Sequence, residues 1–170
     1  MIPRVSLETL LAEADEVRAG GVAQHPWVAT LRLVGIGWAT VELERAAQEL
    51  RTTFSAAGLP EPAWSPAAAD GLLGASALVA TGLEGRPAIV LLEPDTEGRL
   101  AATLARFDEG VAAIYLEVGA TGTDAASLGR FSPGPLGPSR LLLARPTWGP
   151  HVVVVGRSAS DAAASSNAAA

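Results

Sequence analysis

Apolar residues recur at helical spacing in three segments of the chain. Leu7, Leu10, Leu11, Ala14 and Val17 form one stripe and predict a helix over 6–19, which Gly20-Gly21 should stop. Leu43, Ala46, Ala47, Leu50 and Phe54 predict a second over 42–57, ended by Gly58-Leu59-Pro60. Leu100, Leu104 and Phe107 predict a third before Gly110, with Asp95 or Thr96 as its cap. Between these lie short apolar runs that read as strands: 28–41, interrupted by Gly35 and Gly37, then 73–81, 88–92, 111–118, 140–144 and 150–155. The Pro- and Ala-rich stretch 60–70 and the Gly- and Pro-rich stretch 119–138 read as loops, the latter holding at most a short turn around 123–128. Residues 158–170 are Ala/Ser-rich and read as a disordered tail.

Side chains alternate across a strand, so these runs also assign faces. Gly35, Gly37 and Ala39 should point one way and Ile36 and Trp38 the other, although a bulge at the glycines could turn Trp38 either way. By the same rule Ala113, Tyr115 and Glu117 share one face, as do His151, Val153 and Val155. A slip of one residue would reverse every such assignment.

The central stretch carries a family resemblance. Leu91-Leu92-Glu93-Pro94, then Asp108-Glu109-Gly110, then Ala112-Ala113-Ile114-Tyr115-Leu116-Glu117-Val118 resembles the strand, turn and strand of epimerase-like members of the vicinal oxygen chelate superfamily. Glu42-Leu43-Glu44 and the connection 145–149 match more weakly. The resemblance covers roughly 31–157. It implies an α+β fold of paired βαβββ modules forming a half-barrel, here with an abbreviated second module and an extra N-terminal helix. The expected division is an N-terminal helix and connection over 1–30, the superfamily-like domain over 31–157, and the tail.

In that superfamily a divalent metal is held by side chains from the first and last strand of each module. The corresponding residues here are Gly35, Val90, Ala113, and Val153 or Val155, and none offers a donor atom to a cation. The resemblance therefore implies a domain that has lost its metal, and no cofactor is expected.

Composition narrows the chemistry further. One domain of 170 residues with 49% apolar and 18% charged positions should bury an ordered core. The absence of cysteine removes disulfides and thiolate chemistry, and twelve arginines without a lysine remove Schiff-base chemistry. A net charge of −6 disfavours nucleic acid as a partner. No apolar run approaches the ~18 residues of a membrane span. The N-terminus lacks the pattern of a secretory signal, so a cytoplasmic protein is expected, and the resemblance implies a homodimer.

Candidate chemistry follows from the face assignments. If the glycine-bearing strand lines a pocket enlarged by loss of the metal ligands, then Gly35, Gly37, Val90, Ala113 and Val153 would contact a ligand, with Trp38 as a platform. Tyr115, Glu117 and His151 would enter the same pocket as catalytic groups, since a phenol, a carboxylate and an imidazole can move protons without a metal. Arg140 and Arg145 could meet an anion or pair at the surface. Three readings follow: a metal-independent isomerase, cyclase or lyase acting on a small apolar specialised metabolite such as a polyketide intermediate; a protein that sequesters an antibiotic unchanged; and a partner-binding pseudoenzyme, which predicts a filled pocket.

Overall fold

The computed structural model describes residues 6–81, 83, 85–95, 97–118, 127–143 and 149–156. The helix α1 (Leu7–Gln24) starts at Ser6, whose hydroxyl accepts the Thr9 N–H, and runs on through Gly20-Gly21. The expected stop at these glycines is thus displaced by one turn. The reason is packing: a Cβ on Gly21 would sit 3.3 Å from Val152 Cγ2, so the glycine lets the helix approach the sheet closely. The helix ends at His25, which Pro26 holds in an extended conformation. A short 3-10 turn over Pro26–Thr30 follows, so the first strand, β1 (Arg32–Ala39), is shorter than the apolar run suggested.

The first module continues through α2 (Leu43–Ala56), β2 (Ala63–Pro66), β3 (Ala75–Thr81) and β4 (Ala88–Pro94). After α3 (Arg99–Phe107), the second comprises β5 (Gly110–Glu117), β6 (Leu128–Ser132), β7 (Ser139–Leu142) and β8 (His151–Val155). All eight strands form one open sheet in the order β2-β3-β4-β1-β5-β8-β7-β6. The first strand of each module runs parallel to its last, β1 with β4 and β5 with β8, and the modules meet where β1 pairs antiparallel with β5. This is the strand arrangement of paired βαβββ modules, with no helix between β5 and β6 among the described residues.

Two cores lie on the two faces of the sheet. On the helix face, Ile36, Trp38, Ile89, Leu91, Ile114 and Leu116 pack under α1 and α2. In the second module only residues 118–127 separate β5 from β6, and the face over β5 and β8 is covered by α1. Leu10 and Ala14 are fully buried there, and the Arg18 guanidinium donates to the Leu31 carbonyl at 2.6 Å. Leu10 and Ala14 belong to the helix-face core.

The residues that carry the family resemblance tie elements together. Glu93 accepts the Leu43 N–H at 2.9 Å and so caps α2. Glu109 accepts from the Thr40 hydroxyl, the Val41 N–H and the Arg45 guanidinium. Burial pushes its carboxyl up, but these donors outweigh burial and hold it below the ordinary glutamate range. The two edge strands β2 and β6 fall in stretches that read as loops. Both are short and carry Pro, Gly or exposed positions instead of clean alternation, as edge strands often do. The helix α3 begins after Gly98, not at Asp95, and Phe107 at its end is 53% exposed instead of facing the core. The turn expected around 123–128, the tail and Arg145 fall mostly or wholly outside the described residues.

Candidate functional site

The face expected to hold a pocket is filled. Val90, Leu92, Ala113, Tyr115 and Val153 have no accessible surface, so no water-sized space adjoins them. The Tyr115 ring lies across the two glycines of β1. A Cβ on Gly35 would fall 2.4 Å from Leu136 Cδ1 and 3.3 Å from Tyr115 Cδ2. One on Gly37 would fall 3.0 Å from both Ala113 Cβ and Leu92 Cδ1, and 3.2 Å from Tyr115 Cε2. The glycines make room for a tyrosine, not for a ligand. Gly35, Gly37, Val90, Ala113 and Val153 are therefore core positions rather than ligand contacts. Trp38 lies on the opposite, helix face, where it belongs to the core at 8% exposure and also borders a cleft of about 340 Å³.

Tyr115 is held by a residue that the sequence did not single out. Its hydroxyl donates to Asp70 Oδ2 at 2.8 Å, while Asp70 Oδ1 accepts the N–H groups of Leu72 and Leu73 at 3.0 and 3.1 Å. Burial pushes the Asp70 carboxyl above its ordinary value, and these three donors only partly offset it. Burial, together with the negative charge and hydrogen bond of Asp70, puts the phenol well above its usual range, so Tyr115 keeps its proton and donates.

These residues do not fit the divalent cation that the fold implies. The four ligand positions hold Gly35, Val90, Ala113, and Val153 or Val155 on a closed face, and among the described residues no three His, Asp or Glu side chains gather as a cation would require. Restoring a donor should not restore a site. Gly35→His is expected to bind no zinc by calorimetry and to lower stability by about 1–3 kcal/mol, because the ring must displace Leu136 and Tyr115. Zinc binding with unchanged stability would show that the face is open.

The three expected acid–base residues share a face without sharing a pocket. In the β5–β8 register Ala113 pairs with His151, Tyr115 with Val153 and Glu117 with Val155. His151 and Glu117 are thus four positions apart along the strands, about 13 Å. Glu117 is engaged at the far end, where Arg32 Nη2 and Nε donate to its Oε2 at 2.5 and 3.1 Å. Arg140 stacks its guanidinium on the Phe131 ring at 3.9 Å.

Of the three expected acid–base residues, His151 is the one that lines a cleft among the described residues. A cleft of about 640 Å³ runs between the C-terminal half of α1, the first turn of α3 and the end of the sheet where β8 begins. Glu13, Glu16 and Gln24 line it from α1, Arg99 from α3, and Leu142 and His151 from the sheet. A smaller cleft of about 340 Å³ adjoins it and shares Glu13 and Val111. The Gly149 N–H donates to His151 Nε2 at 3.2 Å, and Thr103 Oγ1 lies 3.4 Å from the same nitrogen while donating to the Arg99 carbonyl. With Nε2 accepting, the imidazole is neutral and carries its proton on Nδ1. Burial, helped by the charge of Arg99, lowers its pKa to about 4. Sequence reading missed Glu13, Glu16 and Arg99, because a charge on the polar side of a helix looks the same whether it faces solvent or a cleft.

No family model matches the sequence, and no curated protein does. Solved structures do match. A methylmalonyl-CoA epimerase in complex with methylmalonyl-CoA shares 20% identity at a TM-score of 0.59, covering 76% of this chain and 96% of that one. A variant of the Streptomyces coelicolor methylmalonyl-CoA epimerase bound to 2-nitronate-propionyl-CoA shares 20% at 0.58, covering 75% and 98%. The enzyme from Mycobacterium tuberculosis shares 15% at 0.59, covering 77% and 91%. The chain has the vicinal-oxygen-chelate fold. The three solved structures just described are methylmalonyl-CoA epimerases, and at these identities the likeness is one of fold.

Proposed function

We propose that this chain acts on a small molecule in the cleft beside α1, as an isomerase-type enzyme that does not use the metal of its fold class. The observation that carries this reading is His151, a neutral imidazole that is 7% exposed yet lines a cleft large enough for a metabolite. A neutral imidazole with a depressed pKa donates its N–H without becoming charged, which suits it to polarise a carbonyl while a carboxylate takes the proton from the adjoining carbon. Glu13 and Glu16 border the same cleft and supply that carboxylate. The apolar side chains of Leu142 and Val152 suit a largely apolar substrate of the specialised-metabolite kind, a polyketide intermediate among them. The epimerases of the same fold are isomerases, which supports the reaction class.

The test is to incubate the purified protein with metabolite extract and follow bound and free compounds by mass spectrometry. Conversion to a product of equal mass is expected, with a loss of about 10²- to 10⁴-fold in rate for His151→Phe. A compound retained unchanged would replace this reading with sequestration. One observation favours that second reading: neither Tyr115 nor Glu117 comes near His151, so the expected catalytic triplet does not form. The filled second face agrees with the pseudoenzyme reading as far as the superfamily's usual pocket is concerned, and the cleft is what separates the two. A homodimer belongs to the proposal, and light scattering tests it. Among the described residues no helix is long and apolar enough to cross a membrane.

A further inference from the structure

Proton transfer as proposed uses one carboxylate of the cleft beside α1 and leaves the other, together with Arg99, without a role. Glu13 and Glu16 stand on its α1 wall and Arg99 on its α3 wall. Among the described residues none of the three is in an ion pair, and each carboxylate lies more than 4 Å from the guanidinium. Elsewhere the fold does pair such charges, Arg45 with Glu42, Glu49 and Glu109, and Arg32 with Glu117. The rest of the lining includes Gln24, His151 and the apolar side chains of Val111, Leu142 and Val152.

Opposite charges held apart across a partly apolar cleft complement a molecule that carries both signs at its ends. We propose that the cleft binds a zwitterion with an apolar body, its ammonium at one of Glu13 and Glu16 and its carboxylate at Arg99, a proposal that rests on the cleft being the functional site. A polyanion would meet one arginine and two carboxylates, and a dication would leave Arg99 opposed to its second charge. A zwitterion satisfies both walls. The two carboxylates leave one for the ammonium and one for proton transfer.

The probe is leucyl-phenylalanine, compared by calorimetry with its C-terminal amide, its N-acetyl form and its N-acetyl amide. The zwitterion is expected to bind at least about threefold more tightly than either singly charged form, as contacts to exposed or half-buried charges allow. The Glu13→Gln/Glu16→Gln double variant should lose the preference for the free ammonium and keep the preference for the carboxylate. Arg99→Gln should do the reverse, and neither should move the melting temperature. Equal binding of all four forms, abolished together by His151→Phe, would keep the cleft as the site and overturn the zwitterion. Failure of all four to bind would also overturn the zwitterion, and retention of a metabolite that His151→Phe releases would then show that the cleft itself still stands. Preferences that survive the Glu and Arg substitutions would overturn the assignment of the two walls.

Discussion

Replacing Tyr115 by alanine is expected to cost about 4 kcal/mol or more of folding stability, read as a fall in the urea midpoint. Deleting a fully buried aromatic side chain alone costs about 3–5 kcal/mol, because the cavity it leaves cannot fully collapse. The same change removes the hydroxyl that donates to Asp70, a carboxylate buried in the turn before β3, and an unpaired buried acceptor adds about 1–3 kcal/mol. Against a total of about 5–15 kcal/mol for a domain, that is a large share. Tyr115→Phe separates the two effects: it keeps the ring over Gly35 and Gly37 and should show the hydroxyl loss alone. In a double-mutant cycle with Asp70→Asn the two sites should couple, since they share one hydrogen bond. A cost below about 1 kcal/mol for Tyr115→Ala would mean that this face is loosely filled, and the superfamily's usual pocket would again become the place to look for a ligand.

Acidification is expected to remove about 3 kcal/mol of stability through His151 alone. A histidine in the unfolded chain titrates near 6.5, whereas burial and Arg99 bring His151 to about 4 in the folded protein. The folded state therefore prefers the neutral ring more strongly than the unfolded state does. This contribution is complete above pH 6.5, falls as the unfolded chain begins to bind the proton, and is gone below about 4. Glu109 shifts in the opposite sense for a related reason. Its folded pKa is lowered, so its contribution is present above the ordinary carboxylate range and is lost at lower pH. The two windows adjoin, and the difference between wild type and His151→Gln isolates the histidine, because glutamine keeps an acceptor for the Gly149 N–H. As pH falls from 7.5 to 4 the wild-type urea midpoint should drop relative to that of the variant. Parallel curves would show that His151 is solvated and would remove it from the proposed site.

The resemblance written in Leu91-Leu92-Glu93-Pro94 and in Asp108-Glu109-Gly110 pointed to the fold because those residues do structural work: Glu93 caps α2, and Glu109 ties α2 to the start of β5. Such ties survive when the chemistry changes. The pocket was not legible by the same route. Loss of the metal ligands at Gly35 and Ala113 reads along the chain as a vacancy, whereas in space a tyrosine two residues beyond Ala113 swings over both glycines and closes it. Asp70, which fixes that tyrosine, lies in a stretch whose Pro and Ala content signals only a loop.

What the sequence determined by itself was the sheet and its faces. The alternation in β1, β5 and β8 and the stripes in α1, α2 and α3 are local periodicities, and burial of one face against another follows from them whatever the neighbours are. It also determined that Gly35, Val90, Ala113 and Val153 offer no donor to a metal. Which space is empty was decided by the tertiary structure. Along one face His151, Tyr115 and Glu117 are equivalent by parity, but the β5–β8 register spaces them out. One is sealed under the core, one is paired with Arg32 at the far end, and one stands beside a cleft that exists because α1 covers the second module. Parity is a property of a strand, whereas a cavity belongs to elements far apart in sequence, and only their packing places Glu13, Arg99 and His151 around one opening.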